Sequence, residues 1–547
     1  MAAVALLAAC SSGSPVATPS AAPPSSWPAQ AHRPVPSLAQ AIKAAAHLGL
    51  AGRDTAVSLN FTLKERNPEG LKAVLASGRV LSPAEYDAQF GPDPALARAA
   101  VALLERAGFA ATWQSGSALI AADGSAPAAD GLLGVKIENY RQSNGSTFYA
   151  TLDRPVLAGP IGAVASGVTG LDDYGRSVNF AVKPGGLKAP DVLAFYDMKP
   201  LRDRGLDGSG QTILFPEIET IPQKNIDDLE KFAREANLPP FSGLLTIKTD
   251  KSWGTPEKPE GEAVLDLEIA HEIAPKAKLV AYVAGPQFSF MDRAFDKLVS
   301  DHLGSIISES LGACEPGAPS SHRTSYQNSQ DRANAQGMSH FVASGDSGAY
   351  TCGQDNDIAD SFPATLPTVT AVGGTTVFES TQGTYFKEVA WGAAIDESGT
   401  GGGPSLVYPI PDWQKPVAQA DGHGFRQVPD VAADADPQTG FHIVFGGRDT
   451  QIGGTSAATP MWAALIALIN QDLLSKKLRE VGFANPAIYW MGANQSKFPS
   501  SPFHDVTGGN NLAFTATQGW DFATGWGSPD GAAIDAAWIT YLKSGGG

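Results

Sequence analysis

Apolar and polar runs alternate regularly over the last two thirds of this chain. From about residue 188 onward, short runs rich in branched apolar residues alternate with longer segments of helical character. Strands that alternate with helices in this way predict a parallel sheet covered by helices on both faces, an α/β fold. The strand-like runs that show the pattern best are residues 211–214, 278–283, 305–308, 340–343 and 368–372.

The region between about residues 39 and 187 has a different pattern. A strand-like run at 57–63 precedes a helical segment at 69–77, and a strongly apolar helix is predicted from about 94 to 107. Ser82 comes just before another helical stretch, and serine is a favourable N-cap. Together with short strand-like runs at residues 118–121, 134–137 and 147–150, these segments predict a small separate α+β domain.

The first 38 residues carry neither pattern. A short apolar run ends in Leu7-Ala8-Ala9-Cys10, and residues 11–36 are rich in Ser, Pro and Ala, a composition typical of a disordered tether. The run resembles the lipobox of bacterial lipoproteins, in which the cysteine is acylated; an ordinary export signal is the alternative. We expect an exported protein, extracellular or at the cell envelope, whose only membrane contact is a lipid anchor at Cys10. No other run is long and apolar enough to span a bilayer.

Composition excludes one class of partner. The chain has 547 residues, a formal charge of −17 and a pI near 5.0, which argues against nucleic acid as a partner. Its hydrophobic content of 43% is enough for substantial cores. An acidic surface loses net charge as the pH falls, so the composition is compatible with moderate acid.

The most informative motif is Gly454-Thr455-Ser456, because the apolar run that follows it predicts a buried helix. Subtilisin-like folds present a nucleophilic serine in this way. Glycine lets the backbone approach a substrate closely, and the helix N-terminus favours negative charge that develops beside it. A glycine-rich turn that happens to contain serine is the alternative. The group that accepts a proton from Ser456 therefore decides the chemistry.

A subtilisin would use a histidine as that base and an aspartate to orient it. None of the nine histidines lies in the His-Gly-Thr-His setting of subtilisins. The nearest match, His423 in Asp421-Gly422-His423, is too close to Ser456 in the chain for the subtilisin order of Asp, His and Ser. We expect His423 to be a solvated loop residue.

Carboxylate side chains are the other candidates for the base that accepts the proton of Ser456. Glu262 and Asp266 lie four residues apart in a helical segment from about 260 to 274, so both occupy one face of it. Asp346 follows an apolar strand in a tight Ser-Gly-Asp-Ser-Gly turn, at the strand end where catalytic groups gather in parallel sheets; a turn-forming aspartate is the alternative. Glu268 and Glu272 form a second pair on a different face, which we expect to be solvated.

Together, Glu262, Asp266, Asp346 and Ser456, in this order, resemble the sedolisin family, the serine-carboxyl peptidases. The resemblance covers nearly the whole chain after the first forty or so residues. Other family-like stretches are residues 208–213, 310–312, 401–405, 411–414, 428–431 and 435–440.

The resemblance implies a subtilisin-like architecture and a division of the chain into three parts. Residues 1–38 would be the signal and tether, residues 39–187 an inhibitory activation prodomain, and residues 188–547 the peptidase domain. We expect the prodomain to be cut off between about residues 176 and 189, in a stretch that has linker character. The sequence departs from the family at Leu311, where many relatives have tryptophan. Glu217 resembles an acid that extends the carboxylate network in only some members.

The resemblance also implies a role for each side chain of the site. Ser456 would attack the peptide carbonyl, Glu262 would take its proton, and Asp266 would hold Glu262 through a shared proton. Asp346, while protonated, would donate a hydrogen bond to the oxyanion. We therefore expect an acid-acting, self-processing endopeptidase that is a monomer, cleaves polypeptides and is inhibited by its own prodomain.

A structural calcium ion is the one cofactor that the resemblance implies. Asp505 and Asp521 would supply carboxylates, and Val506, Thr517 and Gly519 would supply carbonyl oxygens, a donor set that suits a hard cation. Thr517 stands where the family usually has glycine. From the residues alone, two loop aspartates that cap turns are the alternative.

The resemblance also implies a disulfide between Cys314 and Cys352, since some sedolisins have a bridge between the corresponding segments. Two free, buried thiols are the alternative. An exported compartment favours the disulfide.

Three other functions remain open from the sequence. A subtilisin with an unusual base would need His423 or another histidine, and its activity would rise towards neutral pH. A surface lipoprotein could bind peptides on an inactive peptidase scaffold, although all four catalytic side chains are present. A serine esterase is the third, but no Gly-x-Ser-x-Gly motif surrounds Ser456.

Overall fold

The computed structural model describes residues 38–142, 147–174, 186–353, 358–380, 384–393, 398–419 and 422–545. Three expectations fall outside these residues: the lipobox with Cys10, the tether at residues 11–36, and most of the expected cleavage stretch. Within the described ranges, no helix combines the length and the apolar character that crossing a bilayer requires.

The region up to residue 174 is a small α+β unit. Its helices are α1 (Leu38–Ala44), α2 (Pro68–Ser77), α3 (Pro83–Gln89), α4 (Pro94–Arg106), α5 (Ala126–Leu133) and α6 (Gly159–Val164). Its strands are β1 (Ala46–Leu50), β2 (Ala56–Leu63), β3 (Ala110–Thr112), β4 (Leu119–Ser125), β5 (Glu138–Arg141), β6 (Thr147–Ala150) and β7 (Ala165–Thr169).

Local sequence accounts for most of these elements. Ser82 caps α3 and, with Glu85, forms a capping box that satisfies backbone groups at the helix start. Antiparallel strands in the order β3-β4-β2-β7 form one sheet, and β1-β5-β6 form another. The strand expected at residues 134–137 was placed too early, because β5 begins only at Glu138.

The larger region begins with residue 186. Its helices are α7 (Ala189–Phe195), α8 (Lys199–Asp203), α9 (Gln223–Glu235), α10 (Glu262–Ile273), α11 (Phe288–Asp301), α12 (Ser320–Ala335), α13 (Thr455–Ser475), α14 (Asn485–Ala493) and α15 (Gly531–Lys543). Its strands are β8 (Thr212–Glu217), β9 (Leu245–Thr249), β10 (Lys278–Val283), β11 (Ile306–Glu309), β12 (Ala313–Cys314), β13 (Ser339–Ala343), β14 (Ser361–Phe362), β15 (Thr370–Glu379), β16 (Tyr385–Ala390), β17 (Gly392–Ala393), β18 (Ser398–Gly399), β19 (Gly403–Pro409), β20 (Phe425–Val428), β21 (Val431–Asp434), β22 (Phe441–Phe445), β23 (Arg448–Ile452), β24 (Phe503–His504) and β25 (Ser528–Pro529).

Eight of these strands form the central sheet. Its order is β16-β15-β13-β11-β8-β10-β9, and β21 also pairs with β15. All pairings are parallel except that of β15 with β16. Helices pack on the sheet, so the predicted parallel α/β architecture is confirmed. The carboxyl ends of β8, β11 and β13 meet at one edge, as parallel strands require.

Helices α10 and α13 pack against each other in the largest core. Most of α13 is buried, and the Trp462 indole N–H donates to the Ala432 carbonyl oxygen at 2.9 Å. Every residue of α10 is buried. The expectation that Glu268 and Glu272 are solvated was therefore wrong: they are 0% and 1% exposed. Their spacing placed them on a second face of the helix but could not show that this face is covered. Strand β22 contacts it, and the Val444 N–H donates to Glu268 at 2.7 Å.

The N-terminal unit packs on helices α11 and α12 through a polar interface. The Arg293 guanidinium donates to Asn60 Oδ1 at 2.7 Å and forms an ion pair with Asp123 at 2.7 Å. The Ser117 hydroxyl donates to Asp296 Oδ2 at 2.7 Å. Because these groups are matched in charge and hydrogen bonding across the interface, the unit has one defined position on the larger region.

The outer strand β16 carries a buried carboxyl group, Glu388. Glu388 accepts hydrogen bonds from Thr375 Oγ1 at 2.7 Å, from the Tyr196 hydroxyl at 3.2 Å and from Ser528 Oγ. Burial raises the pKa of Glu388 from 4.5 to about 7.

The raised pKa of Glu388 predicts that this protein loses stability as the pH rises. In the folded state Glu388 keeps a proton that the unfolded chain releases. Its contribution to the free energy of unfolding is therefore complete below the ordinary pKa of 4.5 and is lost as the pH rises through about 7. Denaturant unfolding between these two pH values measures the effect. The free energy of unfolding should fall more steeply with pH in the parent chain than in Glu388→Gln, by about 1.4 kcal/mol per pH unit.

Both proteins should carry Ser456→Ala to prevent self-cleavage, and Glu105→Gln, at an exposed glutamate, is the matched control. Equal slopes in the parent chain and in Glu388→Gln would contradict the prediction.

Candidate active site

Ser456 is the second residue of α13 and is fully buried. The turn before it requires glycine: Gly454 has a φ of 94°, and a Cβ there would lie 2.5 Å from Asp346 Oδ2. A Cβ on Gly453 would lie 2.5 Å from the Ala435 carbonyl oxygen. The Gly-Gly-Thr-Ser sequence thus brings the start of α13 close to the turn that carries Asp346.

Glu262 and Asp266 lie on the face of α10 that meets α13. They are 3% and 0% exposed. Glu262 is the first helical residue, and the Glu219 carboxylate accepts hydrogen bonds from the backbone N–H groups of Gly261 and Glu262, both at 3.1 Å. The Glu219 side chain, just after β8, therefore caps α10 and fixes the start of the helix at Glu262.

The pKa values of the pair are strongly raised. Burial, and then the charge of Asp266, raises the pKa of Glu262 well above its usual value, while a hydrogen bond with Ser456 opposes the shift. Burial likewise raises the pKa of Asp266 well above its usual value, opposed by hydrogen bonds from Ser310 and Glu217. Both carboxyl groups are therefore held in a state that favours protonation.

Glu217, at the end of β8, joins the pair. It is 0% exposed, and burial followed by the charges of Asp266 and Glu262 raises its pKa well above the usual value. Among the described residues, no hydroxyl, amide or cationic group donates to either oxygen of Glu217, to Glu262 Oε1 or to Asp266 Oδ2. One carboxyl group can donate to another only if one of them is protonated, so the contact between Glu217 and Asp266 requires a proton between them.

Asp346 lies beside the start of α13. Its Oδ1 accepts hydrogen bonds from the Thr455 backbone N–H and the Thr455 hydroxyl, both at 2.8 Å, while Oδ2 faces Gly454. Burial raises the pKa of Asp346 to about 6, against the lowering effect of the Thr455 hydrogen bonds. One oxygen is thus occupied as an acceptor, and the other is left for a proton.

Ser310 connects the nucleophile to the carboxyl cluster. Its hydroxyl lies 2.6 Å from Asp266 Oδ1 and 3.2 Å from the Ser456 carbonyl oxygen, and its own carbonyl accepts from the Ser456 hydroxyl at 3.4 Å. Just beyond it, Cys314 and Cys352 form a disulfide, as the resemblance implied. The bridge joins the segment that follows Ser310 to the segment that follows Asp346.

Four of the described histidines lie in settings that do not suit a catalytic base beside Ser456. His271 Nε2 lies 2.7 Å from the Pro239 carbonyl oxygen, His322 pairs with Asp292 and His340 with Glu309. His423 is exposed, as expected, whereas Ser456 is buried. This arrangement disfavours a histidine-dependent subtilisin.

The expected calcium ligands lie in interlocked loops. Both carboxylate oxygens of Asp505 accept from the Gly519 N–H at 3.1 Å, and Asp521 Oδ2 accepts from the Thr517 N–H at 2.7 Å. Asp521 and Val506 are buried.

These two aspartates also cap turns, since Asp521 Oδ1 accepts from the Ala523 and Thr524 N–H groups at 2.8 and 2.9 Å. Throughout the described ranges, no lysine, arginine or histidine forms an ion pair with Asp505 or Asp521. The same residues contain no cluster of three or more Asp, Glu, His or Cys side chains arranged to hold a metal. An ion in these loops would therefore depend on backbone carbonyl oxygens as well as on the two carboxylates.

The sequence thus singled out residues that the structure places together, but it missed their supports. Glu262, Asp266, Asp346 and Ser456 come from three distant segments and meet at one end of the sheet. Local sequence did not single out the helix cap of Glu219, the donor hydroxyl of Ser310 or the Thr455 contact with Asp346, because each depends on a partner 43 to 109 residues away. Glu217 carried a signal only through the family resemblance.

Comparisons with known proteins agree with this architecture. Residues 43–174 match the family described as Pro-kumamolisin, activation domain, and residues 250–527 match the subtilase family. Sedolisin from Pseudomonas sp. (strain 101) is 31% identical over 562 aligned residues, which cover 93% of this chain and 91% of that protein. Kumamolisin from Bacillus sp. (strain MN-32) is 37% identical over 349 residues, and the match spans 60% of this chain and 60% of that protein.

A solved structure is also similar. Pseudomonas sedolisin, a serine-carboxyl proteinase complexed with two molecules of pseudo-iodotyrostatin, aligns with a TM-score of 0.58 at 29% identity, over 67% of this chain and 100% of that one. The match to sedolisin over nearly its whole length, together with the activation-domain and subtilase matches, shows that this chain belongs to the sedolisin family of serine-carboxyl peptidases, with an activation prodomain before a serine-type peptidase domain.

Proposed function

We propose that this protein is an acid-acting endopeptidase, made as a precursor that processes itself, in which carboxyl groups replace the histidine of a subtilisin. One observation carries the proposal. Ser456, Glu262 and Asp266 are 0%, 3% and 0% exposed, and the Ser310 hydroxyl lies 2.6 Å from Asp266 Oδ1 and 3.2 Å from the Ser456 carbonyl oxygen, so the nucleophile lies inside a cluster of buried carboxyl groups. Such a cluster supplies both a base and an acid beside the nucleophile.

The reaction follows from the positions of the side chains. Ser456 Oγ attacks the peptide carbonyl carbon while its proton passes to the carboxylate of Glu262. When the tetrahedral intermediate collapses, Glu262 returns that proton to the leaving amine nitrogen, and an acyl-enzyme remains. Water then attacks the ester by the same route, with Glu262 again as base. Asp266 and Glu217 hold the remaining protons, which keeps the cluster near neutral charge throughout.

Asp346 is the proposed donor to the oxyanion. Its Oδ1 is occupied by Thr455, so a proton on Oδ2 can point at the developing charge. The carboxyl group can do this only while protonated. Because burial raises its pKa to about 6, the donor is present in acid and is lost as the pH rises through that value.

The domain division supports self-processing. We propose that residues 39–187 form the inhibitory prodomain and residues 188–547 the peptidase domain, with the cut near residues 176–189. The close polar contact of the N-terminal unit with α11 and α12 supports an intramolecular inhibitor role. The peptide-binding lipoprotein is less favoured, because a binding scaffold has no need of a proton-sharing cluster around an intact nucleophile.

We also propose one structural calcium ion at the C-terminal loops. Asp505 and Asp521 would provide carboxylates, and Val506, Thr517 and Gly519 would provide carbonyl oxygens. The ion would offset the two negative charges and stabilise the loops after β24.

We also propose that the protein is exported, and the disulfide and the N-terminal sequence support this. A Cys314–Cys352 bridge suits an oxidising compartment such as the cell envelope or the extracellular space. A lipid anchor at Cys10 and a monomeric state are further proposals.

Self-processing tests the proposal most simply. Full-length protein held at a pH of about 4, below the pKa of Asp346, should lose a fragment of the prodomain's size, and Ser456→Ala should not. Glu262→Gln should slow cleavage by about 10²–10⁴ because it lacks the general base. Mass analysis over time measures both rates, with Glu260→Gln, at an exposed glutamate, as the matched control. Full activity in Glu262→Gln would overturn the mechanism.

The role of Asp346 predicts the alkaline limb of the pH profile. For the parent enzyme, kcat/KM on a peptide substrate should fall as the pH rises through about 6. In Asp346→Asn the amide stays a neutral donor at every pH while its oxygen can still accept from Thr455, so this fall should disappear. A fall that persists near pH 6 in the variant would show that another group controls the limb.

The calcium proposal predicts a shift in thermal stability. Added calcium should raise the Tm of the Ser456→Ala precursor by a few degrees, roughly the effect of saturating one site, and a chelator should lower it. The response should vanish in Asp505→Asn/Asp521→Asn and persist in Asp412→Asn, at an exposed aspartate. An unchanged calcium response in the double variant would place the ion elsewhere.

A further inference from the structure

Ser310 occupies an unusual position at the end of β11. Its side chain points into the protein, where it is 1% exposed, and lies 2.6 Å from Asp266 Oδ1 and 3.2 Å from the Ser456 carbonyl oxygen. Its carbonyl oxygen lies 3.4 Å from Ser456 Oγ. A single residue therefore touches both the nucleophile and the acid that supports the base.

A hydroxyl group has one hydrogen and can fully donate to one acceptor. The contact with Asp266 is the shorter, and a charged or partly charged carboxylate is the stronger acceptor, so the hydrogen of Ser310 lies towards Asp266 Oδ1. Asp266 Oδ2 receives no hydrogen bond from a hydroxyl, amide or cationic group among the described residues, and Glu217 is the carboxyl group that pairs with Asp266. Oδ2 is the oxygen left to share a proton with the neighbouring glutamates.

We propose that Ser310 is a positioning residue of the catalytic centre: by donating to Asp266 Oδ1 it reserves Oδ2 for the shared proton and favours the ionised form of the cluster in which Glu262 can act as a base. This inference rests on the proposed function, and it gives Ser310 a role in proton placement that is separate from any contact with substrate.

Ser310 differs from the titratable groups around Asp266 because it is a neutral hydrogen-bond donor. The charged or titratable side chains that affect the pair most are acids; they come from β8 and the residues after it, α10, β11 and the turn after β13, and are Glu217, Glu219, Glu262, Glu309 and Asp346. Each of these acids, when ionised, disfavours ionisation of the pair. A neutral hydroxyl donor is therefore well placed to stabilise the carboxylate without adding a charge.

Removal of the hydroxyl should move one limb of the pH profile. Without this donor the ionised cluster is less stable, so its pKa rises and Glu262 becomes available as a base only at higher pH. In Ser310→Ala the acid limb of kcat/KM should move up by about one pH unit, the size expected for one hydrogen bond to a charged group. The alkaline limb belongs to Asp346 and should stay in place, so the active pH range narrows.

The experiment compares four proteins prepared and activated from the full-length chain. The profiles of kcat and KM against pH are measured for the parent, Ser310→Ala, Ser310→Thr and Ser308→Ala. Ser310→Thr keeps the hydroxyl and should restore the acid limb. Ser308 lies two residues earlier in β11, is equally buried and has a hydroxyl without a partner among the described residues, so Ser308→Ala should not move the limb. KM at the pH optimum should be unchanged in Ser310→Ala, since the side chain is buried against Asp266.

The outcomes separate this inference from the proposed function. An unmoved acid limb in Ser310→Ala, or an equal movement in Ser308→Ala, would overturn the role of Ser310 alone. A uniform fall in kcat at every pH would show a packing effect and would also overturn it. Full activity of Glu262→Gln would instead overturn the carboxyl mechanism.

Discussion

The burial of several carboxyl groups in one place is the constraint on which this structure depends. Glu217, Glu262 and Asp266 are removed from water, and the acids around them add only further negative charge. Desolvation and mutual repulsion disfavour full ionisation and raise the pKa values of these groups. A base and an acid can then coexist beside Ser456, which a single exposed glutamate could not provide at the same pH.

The fold supplies that environment through a few long-range contacts. Glu217 comes from β8, Ser310 follows β11 and Asp346 follows β13, which are adjacent strands of the parallel sheet. The buried helices α10 and α13 bring Glu262 and Ser456 to the same edge. Glu219 caps α10, and the Cys314–Cys352 bridge joins the loops after Ser310 and Asp346. The catalytic geometry is thus set by backbone elements that are themselves fully packed.

Much of this arrangement was accessible from the sequence, for identifiable reasons. Alternating apolar runs gave the parallel sheet, and an i, i+4 spacing put Glu262 and Asp266 on one face of a helix. Spacing alone could not show which faces of α10 are covered, so Glu268 and Glu272 were assigned to solvent although both are buried and Glu268 contacts β22. The contacts of Ser310 had no local signature, because a serine at a strand end is common and its acceptor lies 44 residues away. Carbonyl ligands such as those expected of Val506 and Gly519 leave no mark on the sequence at all, since every residue has a carbonyl.

The central claim is that the carboxyl cluster beside Ser456 holds protons at a pH where exposed acids are ionised. Infrared spectroscopy tests it directly, because a protonated carboxyl group has a C=O stretching band distinct from the bands of a carboxylate. The measurement compares Ser456→Ala with Ser456→Ala/Asp266→Asn at a pH near 6, well above the ordinary pKa of aspartate and glutamate. The account predicts a protonated-carboxyl band in the difference between the two spectra. A difference spectrum that shows only ionised carboxylate would contradict it.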